Sequence, residues 1–509
     1  MRRISPRARA ATALILSGAL SLTSCSNNGG SGSNGGAQGG KNAQGENTPA
    51  LDTQGPEVLA DSDGTGAEVS QRLFEQSDAV VVASSKRDDQ LHAAAIAVKL
   101  GVPMLIRHTG TDAVVDAEIE RLGANRVIEV GTGITSAEGA EEELPATDPI
   151  VVPEGSDAVT EIVALEAGEN HELEMPPMLA TDVTSLAAAA TATSAGADVQ
   201  VLDYADPRMT AESMKTVTSQ DTLALGAQWG STEQYAERVE LANNGELPGG
   251  GGLVFPGRRM IALYGHPSGG ALGLMGEQPP AEAVQRLEPI IAEYQQFEQQ
   301  PVIPAFEIIV TVASEYAGED GDYSNEGAPE DFIGYIDAIT EAGGYAVLDL
   351  QPGRATFIDQ AKRYEELLKR PNVGLAIDPE WRIGPEELPM QRIGNTTAAE
   401  INEVSQWLAD LTRENNLPQK AFVVHQFQHQ MVRDRDQVDT SHPELAFVLH
   451  ADGHGTPELK FETWNALREG LSDEWFMAWK NFIDEDTPTF TPQQTYETVN
   501  PRPWFVSYQ

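Results

Sequence analysis

The side chains best suited to chemistry lie in the last half of the chain, each at the end of a short apolar run. Tyr264-Gly265-His266 follows one run, and Glu307 is set inside Phe306-Glu307-Ile308-Ile309. Asp349 and Arg354 belong to Leu348-Asp349-Leu350-Gln351-Pro352-Gly353-Arg354, and Asp378-Pro379-Glu380-Trp381-Arg382 closes another run. His425, then His450-Ala451-Asp452-Gly453-His454, then Lys480 and finally Ser507-Tyr508 complete the series. Carboxylates and imidazoles beside apolar strands are costly to bury unless they are paired or bind something. Glu307, Asp378 and Glu380 are the candidates for a general acid and a nucleophile or base, with Asp349 and His425 supporting them. Glycoside hydrolysis needs two such carboxyl groups, one protonated and one ionised, and crowding acids together raises the pKa of one of them. Tyr264 and His450 would hydrogen-bond sugar hydroxyls. His266, Arg354, Trp381, Arg382, Asp452 and Lys480 complete the expected ligand-binding set, and Trp381, Trp479, Tyr264 and Tyr508 offer flat faces for pyranose rings. Arg354 and Arg382 could instead neutralise the acids pairwise and leave a fixed network without catalysis.

These tips need a scaffold that gathers them. Apolar strands are read at 260–264, 302–309, 345–350, 373–377, 420–425, 445–450, 475–480 and 503–508. Helical stretches lie between them, such as 280–299, 329–342, 356–369 and 398–415. Eight strands alternating with helices over 249–509 match a TIM-type (β/α)8 barrel, whose reacting groups collect at the C-terminal ends of the strands. His450-x-Asp452-x-His454, with His425 and Asp378, is also a possible hard-donor metal set. Metal-dependent barrel hydrolases place paired histidines on the first strand, and Gly453 and Gly455 suit a simple turn. No metal and no cofactor is therefore expected, and a metal-dependent hydrolase stays as an alternative.

The segment 56–248 has a different rhythm. Strands at 79–84, 103–106 and 126–130 alternate with helices at 91–100 and 112–122, and a comparable series follows at 178–180, 185–194, 199–202 and 222–225. Such alternation predicts parallel sheets with right-handed crossovers, and the matching order suggests a duplicated module. Gly131-Thr132-Gly133 lacks the full G-x-G-x-x-G after the first strand, which excludes a dinucleotide fingerprint. Asp89-Gln90-Leu91, Pro103-Met104-Leu105-Ile106 and Val130-Gly131 resemble the motifs of the cell wall-binding repeat 2 family. That resemblance implies non-covalent binding of an anionic wall polymer through the proline-led strand. The second copy, with Thr184-Ser185-Leu186 and no proline before its middle strand, departs further, so a retained fold without the ligand is the competing reading.

The first residues specify an address. Arg2, Arg3, Arg7 and Arg9 precede an uncharged stretch from Ala11 to Leu22, then Thr23-Ser24-Cys25. A positive start and an apolar run of about a dozen residues read as a secretory signal, too short to span a membrane. Leu22-Thr23-Ser24-Cys25 resembles the lipobox of bacterial lipoproteins, which implies that residues 1–25 are a signal and that the Cys25 thiol carries lipid, palmitate among its acyl groups. Cys25 is the only cysteine, so its lipidation would leave no thiol for disulfides, thiolate metal sites or nucleophilic catalysis. Residues 26–55 are almost all Ser, Asn, Gly, Gln and Ala. Such a segment cannot bury enough apolar surface to order itself, and it reads as a flexible linker reaching about 30 Å.

A net charge of −45, from 33 basic and 78 acidic residues, argues against nucleic acid as a partner. The expected partners are the membrane, through the N-terminal lipid, and a cell-wall polysaccharide or anionic wall polymer. The last half is similar to the barrels of uncharacterised lipoproteins from high-GC Gram-positive bacteria, in segments such as Leu263-Tyr264-Gly265-His266-Pro267 and Ala451-Asp452-Gly453-His454-Gly455. It also looks generically like glycoside-hydrolase barrels, though the chitinase-type D-x-x-D-x-D-x-E is missing. The expectation is a lipid-anchored protein on the outer face of the cell membrane in a Gram-positive-type envelope. It would bind wall polymer and present a carbohydrate-binding barrel that in its catalytic version hydrolyses glycan. The alternative is a wall-binding scaffold without enzymatic activity.

Overall fold

The computed structural model describes residues 49–131, 147–168 and 173–509. The Cys25 leader, nearly all of the polar linker, and Thr132 and Gly133 lie outside the described residues. No helix among the described residues is long and apolar enough to cross a membrane.

The last half is a closed barrel of eight parallel strands. They are β1 (Arg259–Gly265), β2 (Val302–Ala313), β3 (Tyr345–Leu350), β4 (Val373–Ile377), β5 (Lys420–Gln426), β6 (Leu445–Ala451), β7 (Phe476–Asn481) and β8 (Phe505–Tyr508). They pair in sequence order, and β8 closes on β1 with Phe505 opposite Met260. A short antiparallel strand, Ser324–Glu326, extends β2 at its far end. The helices that follow the strands include Pro280–Tyr294, Pro329–Glu341 and Ala398–Glu414. The stretch read as one helix over 356–369 breaks into two at Tyr364, whose hydroxyl donates to the carbonyls of Val310 at 2.8 Å and Gly327 at 3.0 Å.

Each strand presents alternate side chains inward and outward. The outward set, including Ile261, Phe306, Leu348, Phe422, Leu449, Trp479 and Tyr508, packs against the helices. The inward set fills the lower barrel with mostly small or branched groups: Ala262, Ala305, Val347, Ala376, Ala421, Val423, Ala446, Val448 and Ala478, closed by Met260, Ile303, Tyr345 and Phe505. One step further along the strands the inward positions are Tyr264, Glu307, Asp349, Asp378, His425, His450, Lys480 and Ser507, all buried. The barrel is therefore packed to the level at which its polar layer begins.

Residues 49–131, 147–168 and 173–248 form two small parallel sheets. One has the order 104–106, 79–83, 126–130, and the other the order 199–202, 178–181, 223–225, with Glu57–Leu59 added at its edge. The helices Arg87–Leu100 and Leu186–Ser194 lie between them in one core. The latter is almost all Ala and Thr, which allows close approach: a Cβ on Gly66 would meet Ala187 Cβ at 2.6 Å. Met104, Leu105 and Ile106 of the proline-led strand are buried within the first sheet. Gly131, at φ +97°, gives room to the Asp89 carboxylate, with which a Cβ there would collide. Ser84 Oγ donates to that carboxylate at 2.6 Å.

The run Gly249–Gly252 is a packed junction. Arg258 is buried and donates to the carbonyls of Gly250 at 2.7 Å and Leu253 at 2.9 Å, with a further bond to Pro248. Gly252 N donates to Arg208 O at 2.8 Å, and Arg208 Nη1 to Pro443 O at 2.7 Å, which ties the N-terminal part to the base of the barrel. Gly251 sits at φ +75°, and a Cβ there would lie 2.5 Å from Met209 O. Gly251→Ala is expected to lower the unfolding free energy by about 1–3 kcal/mol through its backbone conformation alone, and by more once the clash is added. Chemical denaturation would show this, whereas an unchanged midpoint would mean that the segment is a free hinge.

Candidate functional site

Because all eight strands run the same way, their last inward side chains meet in one layer. Most of that layer is a single chain of contacts. Lys480 Nζ lies 3.2 Å from Asp452 Oδ1, and Asp452 Oδ2 lies 3.0 Å from His425 Nδ1. His425 Nε2 reaches Glu307 Oε1 at 2.8 Å. His450 Nδ1 approaches the same oxygen at 3.4 Å, and its Nε2 lies 3.0 Å from Ser507 Oγ. Beside this chain Tyr264 donates its hydroxyl to Asp349 Oδ2 at 2.8 Å, and Lys480 Nζ sits 3.7 Å above the Tyr264 ring.

Above the layer opens a cleft of about 510 Å³. Tyr264, Gln351, Asp378, Glu380, Asp452 and Lys480 supply its polar wall, and Trp381, Phe427, Phe482 and Met390 are among its apolar lining. Glu307, Asp349, His425 and His450 are all 0% exposed and do not line it. Asp378 Oδ1 accepts from Glu380 N at 3.1 Å at the turn into Pro379–Trp381. Asp378 also offers an oxygen within 4.8 Å of both Asp452 and His425.

The environment divides the acids into two classes. Burial works against ionisation of Asp452, but Lys480 and His425 outweigh it and hold the carboxyl below the usual carboxylate range. For Glu307, burial is likewise overcome by His450 and His425. Burial, followed by the charges of neighbouring acids against the opposing pull of His425, pushes Asp378 well above that range. Glu380 is pushed up to about 7 by burial and by the Asp452 charge. Burial would lower His425, yet Glu307 and Asp349 raise it well above an ordinary imidazole, while burial leaves His450 lowered. The cleft thus holds protonated and ionised carboxyl groups side by side, as acid–base chemistry requires.

Of the residues expected from the sequence, Tyr264, Asp378, Glu380, Trp381, Asp452 and Lys480 reach the cleft. Glu307, Asp349, His425 and His450 converge beneath it, sealed from solvent. Three do not join the site. Arg382 pairs with Glu400 at 2.9 Å, and Arg354 donates to Glu387 O at 2.8 Å while stacking on the Tyr323 ring. His266 Nδ1 lies 2.8 Å from Ser268 Oγ, and its ring meets Phe332 edge-on. Neither arginine neutralises the cleft acids. The expected flat faces of Trp479 and Tyr508 point outward: Trp479 stacks on Phe490, and the Tyr508 hydroxyl lies 3.0 Å from that of Tyr294. The strand alternation carries the reason, since Lys480 and Ser507, their neighbours, face inward. Gln351, Phe427, Gln428, His454 and Phe482 also line the cleft, and their signal in the sequence is their place within a few residues of a strand end.

No family model, curated protein or solved structure matches the chain.

Lys480 is the only amine in contact with Asp452 among the described residues. Lys480→Met is expected to lower the unfolding free energy at pH 7 by about 3 kcal/mol, because it leaves a buried carboxylate with His425 alone as its basic partner. The double variant K480M/D452L should recover most of that loss. Losses in K480M and D452L that simply add in the double variant would show that the pair does not interact.

Proposed function

We propose that the barrel binds a neutral glycan in this cleft and hydrolyses it, with Glu380 as proton donor and Asp452 as the ionised nucleophile. The observation that carries this reading is the division of the cleft acids: Asp452 is paired with Lys480, while Asp378 and Glu380 have raised pKa values. Glu380 is the half-buried member of the pair and can reach a ligand, whereas Asp378 is buried and its Oδ1 accepts from Glu380 N. Glu380 and Asp452 line the same cleft, as a general acid and a nucleophile acting on one bond must. Trp381, Phe427 and Phe482 supply apolar faces for sugar rings, and Gln351 and Tyr264 supply hydroxyl partners. The absence of arginine from the cleft lining among the described residues favours an open acid–base site over a sealed scaffold.

The rest of the chain fits an envelope role. We read it as exported and lipid-anchored at Cys25, with 56–248 as a duplicated wall-binding module that holds the barrel near its polymer. Apart from the edge strand Glu57–Leu59, each N-terminal sheet has three strands with the earliest of them in the middle, and this shared order supports the duplication. The −45 net charge leaves nucleic acid outside this reading.

The test is incubation of the full chain with purified wall glycans, scored by retention of protein and by release of reducing ends. Glu380→Gln and Asp452→Asn should each abolish release by at least 100-fold, the scale of a missing general acid or nucleophile, while binding persists. Survival of release in both variants would remove the proposed pair. A general acid must be protonated, so release should hold below pH about 7 and decline as the pH rises through the Glu380 value. A rate that climbs across that interval contradicts the assignment.

A further inference from the structure

The layer beneath the cleft holds more donor atoms than the contacts within it use. Glu307 Oε2, Asp349 Oδ1 and His450 Nδ1 are buried and have no hydrogen-bond partner among the described residues. Such orphaned groups each cost free energy unless a ligand answers them. They flank the Glu307–His425 contact: His450 Nδ1 lies 3.4 Å from Glu307 Oε1, and Asp349 Oδ1 lies 4.0 Å from His425 Nε2. Ligand atoms of Glu307, His425 and His450 all fall within 4.8 Å of one another.

We propose that Glu307, Asp349, His425 and His450 bind one first-row divalent metal ion, of which Zn2+ is the probe. Four donors around such an ion at about 2.0–2.2 Å would stand roughly 3.4 Å apart, a separation that these side chains meet or approach with small rotations. Two imidazole nitrogens and two carboxylates form a borderline-to-hard set suited to Zn2+ or Mn2+, with no thiolate required. The outer contacts are also in place. Metal-bound histidines usually donate their second nitrogen to a carboxylate or similar acceptor. Here His425 Nδ1 is 3.0 Å from Asp452 Oδ2 and His450 Nε2 is 3.0 Å from Ser507 Oγ, while Tyr264 fixes Asp349 through its other oxygen. With Asp452, which pairs with Lys480 and His425, the carboxyl groups Glu307, Asp349, Asp378 and Asp452 outnumber the basic groups His425, His450 and Lys480, an excess that a divalent cation reduces. Binding displaces the proton that His425 shares with Glu307 and leaves the nitrogen lone pair for the ion. The assignment goes beyond the role given to Glu380 and Asp452, and it stands or falls without it.

The test uses the full chain stripped with a chelator, dialysed against Zn2+, desalted and measured by elemental analysis. One Zn2+ per chain is expected, and Glu307→Gln and His450→Gln should each weaken retention by at least tenfold. Asp322→Asn, in the exposed cluster with Asp320 and Glu326, should leave it unchanged. No stoichiometric uptake by the unaltered chain, or uptake lost in D322N but kept in E307Q and H450Q, overturns the proposal. Co2+ loading of the unaltered chain provides a check independent of how the variants fold. Visible absorption typical of a low-coordinate N,O site supports the assignment, and the spectrum of hexa-aqua Co2+ alone overturns it. Glycan retention or release has no bearing on any of these readouts.

Discussion

A closed parallel barrel gives each strand one last inward position before its loop begins, and here those positions carry Tyr264, Glu307, Asp349, Asp378, His425, His450, Lys480 and Ser507. None of these groups can be hydrated freely, so each must find its compensation in the same layer. The run from Lys480 through Asp452, His425 and Glu307 to His450 and Ser507 provides it, alternating basic and acidic groups across β2, β5, β6, β7 and β8. The layer depends on the packing below it. Alanine and valine at the lower inward positions allow the strands to close tightly, and this closure brings tips far apart in sequence to within a hydrogen bond.

The same layer separates groups that can meet a ligand from groups that cannot. Asp378, Glu380, Asp452 and Lys480 face the open cleft, and the two histidines with Glu307 and Asp349 lie under it. Asp452 belongs to both levels: one oxygen meets Lys480 at the cleft, the other meets His425 below. The charge state of the cleft is thus linked to the content of the buried cluster. The N-terminal sheets join the barrel through Arg208, Arg258 and the Gly249–Gly252 turn at the starts of the strands. The cleft opens at the opposite ends of those strands and stays unobstructed by that junction.

Much of the barrel was legible because its signals are local. Apolar runs bounded by Gly, Pro and acidic residues put the eight strands within a few residues of their observed limits, and strands 345–350 and 373–377 match residue for residue. The short strands Glu57–Leu59 and Ser324–Glu326 were not legible, because each is held by a distant partner and not by its own pattern. Site residues are recognisable as strand tips, but which way each points follows from the alternation along its strand. A polar tip at Lys480 implies that Trp479 faces the helices, and Ser507 implies the same for Tyr508. The importance of Glu307 was visible, whereas its enclosure beneath Tyr264 and Asp452 depends on neighbours from three other strands.

The sequence by itself determined the alternation of strands and helices and the placing of titratable groups at strand ends, since both follow from residue order and period. It also determined the acidic balance of the chain. Tertiary structure alone decided which acids share a charge partner, which keep a proton and which meet the cleft. Those outcomes depend on distances of a few ångströms between residues up to more than a hundred positions apart. Glu307 and His425, 2.8 Å apart across the barrel, have no local signal that joins them, because only closure of the sheet makes them neighbours.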